Sequence, residues 1–270
     1  MRRYGVSIMA GIAFRLILPT CLMLAPLLAW QGVRVRASMP RLPEAARPAG
    51  VVAAGVGPGQ GEPVRLAVLG ESTAAGVGAE RHEEAIAGYL AADLAGLTGR
   101  EVQWRAVARI GSTVRAATRE LVPRLADGQG NLDAVVVLLG CNDLWRIRRP
   151  RIFRRDMRKL VRAIRRQGGG STAVVLAGMP PVQWLSILPQ PLRWVLWFRS
   201  RALDYALRRL ALRLPGVHHV PADVPLIEDS FFAADRFHPS SAGYRVWAGL
   251  LAPTAAGLVL RDWDGQRPAT

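Results

Sequence analysis

The sequence predicts an α/β protein, a three-layer α/β/α sandwich in which a five-stranded parallel sheet lies between two layers of helices. Across residues 64–260, five short apolar runs alternate with amphipathic segments of helical period. The runs are apolar at nearly every position, which is typical of parallel strands buried on both faces. The chain has 270 residues, 50% of them hydrophobic and 21% charged, so it can bury a core of this size.

Each element follows from a local pattern. The sequences RLAVLG, VQWRAV, AVVVLLG, AVVLAG and VHHVP predict strands at 65–70, 102–107, 134–140, 173–178 and 217–221. The amphipathic segments between and after them predict helices at 83–97, 112–125, 151–166, 193–214 and 240–258. In such sheets ligands bind beyond the carboxyl ends of the strands, so catalytic residues are expected directly after each strand.

The N-terminal residues 1–37 are predicted to be a membrane anchor. Leu16–Val33 is an uncharged stretch of 18 residues, which as a helix at ~1.5 Å per residue nearly matches the thickness of a bilayer core. Two internal prolines weaken the prediction of a membrane-spanning helix. The alternative is a cleaved signal peptide with a cleavage site near Val35-Arg36-Ala37. The flanking arginines favour a cytoplasmic body by a narrow margin, whereas a cleaved signal would export it.

Two further segments lie outside the predicted catalytic body, which spans residues 64–260. Residues 38–63 are rich in Pro, Gly and Ala and have no periodic apolar face, so they are predicted to be a flexible linker. Residues 261–270 are predicted to be a C-terminal tail.

The formal charge of +16 is confined to two segments. Residues 1–50 hold seven arginines and one acidic residue, and residues 146–166 hold eleven basic residues and one acidic residue, so the remainder is neutral. This distribution argues against a protein that binds nucleic acid over its whole surface. The basic segment 146–166 is predicted to be either a solvated helix face or a contact for an anionic membrane surface or an acidic acyl carrier.

Candidate catalytic residues follow three of the predicted strands. Ser72 lies in a turn of small residues after the first strand, where it could serve as a nucleophile or as a helix N-cap. Gly111 follows the second strand and Asn142 the third. Together with the Ser72 N–H, their N–H groups could form an oxyanion hole, although an isolated glycine or asparagine at such a position is more often an ordinary turn residue.

Among the four histidines, His238 is the best candidate for a general base. It precedes the last predicted helix, and Asp235 lies three residues before it, within reach of its imidazole ring. An incidental loop pair is the alternative. His82, among acidic residues, is expected on the surface, and Cys141 is expected to be a small buried apolar residue.

Four blocks in order carry a resemblance to a known family. They are Gly-Glu-Ser-Thr from Gly70, Gly111, Gly-Cys-Asn-Asp from Gly140, and Asp-x-x-His from Asp235. This order resembles the SGNH (GDSL) hydrolases over residues 64–260, and it implies the family's flavodoxin-like sheet. The resemblance implies that Ser72 is the nucleophile, His238 the base and Asp235 its partner, that Ser72, Gly111 and Asn142 form the oxyanion hole, and that no metal or other cofactor is needed.

The resemblance also suggests a class of substrate. Glu71 stands where the family usually has Asp, and the segments 70–78, 177–181 and 188–194 most resemble a bacterial branch related to lysophospholipase L1/thioesterase I, which includes esterases of long-chain N-acyl amino acid biosynthesis. The expected reaction is hydrolysis of an acyl ester or thioester. Carbohydrate O-acetyl esterase, acyltransferase and a non-catalytic, membrane-tethered binding protein are the alternatives.

The apolar stretch 179–198 contains three of the eight tryptophans and lies beside the predicted site. Trp184 and Trp194 are therefore expected to contact an acyl chain as part of a wall or lid. Ordinary core packing is the alternative explanation for such a stretch.

Overall fold

The computed structural model describes residues 24–54, 61–126, 131–224 and 229–266. Six strands form one sheet in the order β1-β3-β2-β4-β5-β6, and every neighbouring pair is parallel except β1 and β3. The strands are β1 Ala49–Val52, β2 Val64–Gly70, β3 Val102–Ala108, β4 Ala134–Leu138, β5 Ala173–Ala177 and β6 Val217–Val220. The three-layer α/β prediction is confirmed.

The five predicted strands are the five parallel ones, and their order along the sheet is that of a flavodoxin-like fold. All five residues of β4 and of β5 are buried, as expected for central strands covered by helices on both faces.

The sixth strand corrects the prediction of a flexible linker at 38–63. Ala49–Val52 pairs antiparallel with β3, from Ala49 opposite Arg105 to Val52 opposite Val102. Short edge strands of this kind carry little apolar pattern of their own because one side of the strand is unpaired and much of it faces solvent. Residues 55–60 of the same segment lie outside the described residues.

The helices form two layers. They are α1 Ala25–Ser38, α2 Ile86–Thr98, α3 Val114–Glu120, α4 Cys141–Trp145, α5 Pro150–Gly168, α6 Leu192–Ala211 and α7 Ser241–Gln266. Helices α2 and α7 bury one face of the sheet, while α3, α5 and α6 bury the other, where α1 also packs. Helix α7 extends into the predicted C-terminal tail, and residues 267–270 lie outside the described residues.

Helix α1 overlaps the predicted membrane anchor and lies on the body of the protein. Its Gln31 side chain is buried, donates to the Gln190 carbonyl at 2.7 Å and accepts from the Leu192 N–H at 3.2 Å. Within the described ranges, no helix is long and apolar enough to cross a membrane. The first part of the predicted span, up to residue 23, lies outside those ranges, as does Cys21.

His82 differs from its sequence-based prediction. It begins a single 3₁₀ turn, His82–Glu84, before α2, and its side chain is buried. Burial lowers the pKa of its imidazole, against the opposing effect of the nearby Glu83 and Glu44. Its acidic sequence neighbours suggested a surface position, but the side chain turns inward toward Trp104.

Candidate active site

The ends of three adjacent strands bring the first three predicted blocks together. Beyond β2, the Glu71 N–H donates to the Leu138 carbonyl of β4 at 3.1 Å. Beyond β3, the Arg109 N–H donates to the Gly70 carbonyl at 3.2 Å. The turns that follow β2, β3 and β4 therefore lie side by side at the carboxyl edge of the sheet, where sites of this fold class are found.

Three side chains form a continuous chain of hydrogen bonds at this edge. The Ser72 Oγ atom lies 2.8 Å from His238 Nε2, and His238 Nδ1 lies 2.5 Å from Asp235 Oδ2. Ser72 Oγ is partnered with the histidine, so the N-cap alternative does not describe its hydrogen bond. The arrangement can remove a proton from the hydroxyl while holding the imidazole in one tautomer.

Asp235 is almost fully buried, at 1% exposure. Burial alone would raise the pKa of its carboxyl group. Hydrogen bonds from the His238 ring and from the backbone N–H groups of His238 and Phe237 outweigh that effect and lower the pKa below its usual value. Asp235 is therefore a carboxylate at neutral pH and can stabilise a protonated His238.

Two close contacts join the turn that carries Ser72 to the His238 loop and to α7, the helix that follows this loop. Gly78 has a φ of +103°, and a Cβ atom there would lie 2.2 Å from the Pro239 carbonyl oxygen, so only glycine allows the approach. Tyr244, fully buried in α7, donates to the Val77 carbonyl at 2.7 Å. Neither residue was singled out from the sequence, because each acts through a contact distant along the chain.

The two other predicted oxyanion residues lie at neighbouring strand ends. Gly111 has a φ of +79° and open space where a Cβ would lie, so the backbone conformation is what favours glycine here. Asn142 lies in the first turn of α4, and its side-chain amide donates to Glu71 Oε2. A primary amide has two N–H donors, so one remains for a ligand.

Glu71 explains how the orientation of Asn142 is maintained. Its buried carboxylate also accepts the backbone N–H groups of Gly140, Cys141 and Asn142, at 2.9, 2.8 and 3.0 Å. Burial raises the pKa of Glu71 to about 7, although these donors and the Asn142 amide act to lower it. The longer side chain in place of the family's Asp is thus accommodated by four N–H donors at the start of α4.

A largely apolar groove opens beside His238. Its described lining residues are Thr73, Cys141, Pro180, Pro181, Leu185, Ala222, Val224, Phe231, Phe232, Phe237, His238, Pro239 and Trp247. Trp184 and Trp194, predicted to contact substrate, are 53% and 63% exposed and do not line it. Pro180, Pro181 and Leu185 of the stretch 179–198 do line the groove, and contact of Trp184 and Trp194 with an acyl chain stays a prediction.

Cys141 lines the groove, and burial raises the pKa of its thiol well above the usual value, with a further contribution from Glu71. A thiol that resists ionisation is a poor nucleophile, in agreement with the expected apolar role. No group of three or more His, Cys, Asp or Glu side chains suited to a metal ion occurs among the described residues.

Comparison with known proteins identifies relatives of this chain in sequence and in fold. A GDSL-like esterase of Mycobacterium tuberculosis is 29% identical over 204 residues, which cover 74% of this chain and 62% of that protein. The crystal structure of TesA superposes with a TM-score of 0.56 at 20% identity, covering 72% of this chain and 99% of TesA. A Clostridium thermocellum family 3 carbohydrate esterase superposes at 0.58 with 14% identity, covering 74% and 98% of the two chains.

The two structural matches are at low identity and show the shared fold. The match to a family model is more specific, because it covers residues 68–246 and includes all four sequence blocks. The chain therefore belongs to the GDSL-like lipase/acylhydrolase family, the SGNH hydrolases.

Proposed function

We propose that the protein hydrolyses acyl esters through a covalent intermediate on Ser72. One observation carries this proposal: the Ser72 hydroxyl, the His238 ring and the Asp235 carboxylate form an unbroken chain of hydrogen bonds of 2.8 and 2.5 Å. A base and a carboxylate that are hydrogen-bonded to a serine in this order can activate its hydroxyl as a nucleophile at neutral pH.

In the acylation step, His238 Nε2 takes the Ser72 proton as Oγ attacks the carbonyl carbon of the ester. The oxyanion that forms is stabilised by the N–H groups of Ser72, Gly111 and the Asn142 side chain. The C–O bond to the leaving alcohol then breaks, and protonated His238 gives its proton to that oxygen. In the second step, His238 deprotonates a water molecule, which attacks the acyl-serine and releases the acid and Ser72.

The groove favours an acyl group longer than acetyl. Apart from the polar groups of Thr73, Cys141 and His238, its side chains are aliphatic or aromatic, and burial of each additional methylene group is worth about 0.8 kcal/mol. A sugar would require more hydrogen-bonding side chains than this lining provides, so a carbohydrate O-acetyl esterase is the weaker alternative.

An acyl-chain series tests this specificity. The purified protein is assayed on p-nitrophenyl esters from acetyl to palmitoyl and on the matching acyl-CoA thioesters, with and without alcohol acceptors. We expect kcat/KM to rise with chain length and then level off. A sharp preference for acetyl esters would contradict the apolar-groove argument, and transfer to an alcohol in preference to water would identify an acyltransferase.

The variant Phe232→Ala tests the preference for longer acyl chains at a residue that lines the groove. Removing this aromatic wall is expected to reduce kcat/KM for long-chain esters by roughly tenfold or more, with a smaller effect on the acetyl ester. Tyr205→Ala is the matched control, because Tyr205 is an exposed aromatic residue of α6 outside the groove. Equal losses on short and long esters would show that Phe232 does not contact the acyl chain.

The proposed oxyanion hole predicts a separate effect on kcat. Asn142→Ala is expected to lower kcat about 10²- to 10³-fold with little change in KM, because the lost donor acts on the transition state.

Glu71→Gln, which replaces an acceptor oxygen with an amide donor, should lower kcat by misplacing Asn142, and Glu71→Asp should recover part of the loss. Steady-state kinetics of the three variants tests the roles of Asn142 and Glu71, and circular dichroism checks that each variant is folded. A change confined to KM would contradict both roles.

A further inference from the structure

The basic charge of the protein is concentrated on one layer of the fold. Residues 141–220 contain 17 of the 36 basic residues but only three of the 20 acidic ones. Two of those three, Asp143 and Asp156, are buried, and the third, Asp204, bonds His219 at 3.0 Å. This range includes α5 and α6, which cover the same face of the sheet.

The opposite layer is close to neutral. Its helices α2 and α7 together contain two arginines and three aspartates, and Asp93 of α2 forms an ion pair with Arg245 of α7. The segment 146–166 singled out from the sequence is therefore one part of a larger basic face, to which α6 adds further arginines.

The same layer exposes an unusual group of large apolar side chains. On α1, Leu27, Trp30 and Val33 are 40%, 56% and 70% exposed, and on α6, Trp194 and Phe198 are 63% and 50% exposed. One exposed apolar side chain needs no explanation, but several on two helices in contact do. We call these five residues the apolar patch.

Polar contacts around Gln190 join the two parts of the patch. Gln31, next to Trp30, donates to the Gln190 carbonyl at 2.7 Å, and the Trp194 N–H donates to the Gln190 side chain at 3.3 Å. Arg34 lies over the Trp30 ring at 5.2 Å from its centre. The patch thus combines exposed indole rings with arginine, the composition found where proteins lie at a lipid headgroup region.

The patch is also connected to the candidate active site. The segment 180–191 begins at the groove with Pro180, Pro181 and Leu185 and ends at the first turn of α6, directly before Trp194. Trp184, on the same segment, is exposed as well. A surface that contacts the patch would therefore meet the end of a segment whose beginning lines the apolar groove.

We propose that the apolar patch and the surrounding arginines dock the protein on the surface of an anionic phospholipid bilayer. The arginines complement the headgroup charge, and the indole rings enter the interfacial layer. An acidic carrier protein would complement the same arginines, but the exposed aromatic side chains favour lipid. Delivery of an acyl substrate from the bilayer to the groove rests on the proposed function, whereas docking itself does not.

Vesicle co-sedimentation of the full chain tests the proposal. We expect binding to vesicles of phosphatidylcholine with 30% phosphatidylglycerol, weaker binding to phosphatidylcholine alone, and a loss of at least tenfold in partitioning between low and high salt. Trp194→Ala combined with Phe198→Ala is expected to reduce partitioning about tenfold, and Leu97→Ala, at an exposed apolar position of α2 in the opposite layer, should leave it unchanged. Binding that is insensitive to salt and to the Trp194 and Phe198 substitutions would overturn the proposal and assign the membrane affinity to residues 1–23.

Two charge-reversal variants distinguish binding through the proposed docking face from a general effect of the net charge. Arg149→Glu, exposed at the start of α5, is expected to weaken vesicle binding about tenfold. Arg81→Glu changes the net charge equally outside the basic range and should have little effect. Equal losses in the two variants would overturn the proposed docking face, as would tight salt-dependent binding of an acidic acyl carrier without vesicle binding. Ser72→Ala should bind vesicles normally, so docking and hydrolysis can fail independently.

Discussion

Replacing Ser72 with alanine is expected to reduce ester turnover by about 10⁴- to 10⁶-fold, the largest effect of any substitution considered. The reason is direct: the hydroxyl 2.8 Å from His238 Nε2 is the only group proposed to form the acyl-enzyme. The measurement is kcat on the best ester of the chain-length series. Covalent labelling by a fluorophosphonate probe, read by intact-protein mass, should be lost in parallel.

Ser112→Ala is the matched control. Ser112 also follows a strand of the sheet, but its side chain is buried and its Oγ lacks a hydrogen-bond partner within the described structure. That variant should keep both labelling and turnover. A Ser72→Ala protein that still turns over ester, or a probe attached to another residue, would contradict the mechanism. A protein that folds but neither reacts with the probe nor hydrolyses any ester would support the non-catalytic alternative.

Asp235→Asn is expected to lower kcat by about 10⁴-fold. An asparagine would keep the shape of the site, but its amide can donate toward His238 Nδ1 and favour the tautomer that cannot accept the Ser72 proton. The network lowers the pKa of Asp235, so the carboxylate is charged throughout the neutral range and the loss should persist from pH 6 to pH 9. Recovery of activity at either end of that range would contradict this role.

The protein contains its own control for this substitution. Asp204 and His219 form a second aspartate–histidine pair, 3.0 Å apart and separate from Ser72. Asp204→Asn should cost stability, because the hydrogen bonds that Asp204 accepts lower the pKa of its carboxyl group in spite of burial. Turnover by the folded fraction should remain close to that of the native protein.

The low pKa of Asp235 also has a consequence for stability. Because the folded state holds its proton more weakly than the unfolded chain does, the unfolded state binds more protons as the pH falls. The stabilisation is complete above the ordinary pKa of an aspartate and is lost as the pH falls through the lower, folded-state value.

Local patterns predicted the parallel sheet well. Buried strands such as AVVVL and AVVLA are apolar at every position, and that pattern is visible within five residues. The four blocks at the strand ends are equally local, so Ser72, Gly111, Asn142, Asp235 and His238 could all be proposed from their order along the chain. The structure brings Ser72, Asp235 and His238 into contact, and their catalytic roles remain proposals.

Features that depend on distant contacts were missed. The edge strand at Ala49–Val52 exists because β3 offers it a partner, and its own composition resembles a linker. His82 is buried although its sequence neighbours are acidic. Trp184 and Trp194 lie close in sequence to residues that line the groove, but neither is among the lining residues.

The sequence alone determined the α/β class, the family resemblance and the total charge, because these depend on residue types and their spacing. Only the tertiary structure decided where that charge lies, how Glu71 holds Asn142, and which side chains form the groove. These outcomes depend on which distant segments the sheet brings together. The net charge of +16 is thus a sequence property, whereas the basic layer beside the apolar patch is a property of the fold.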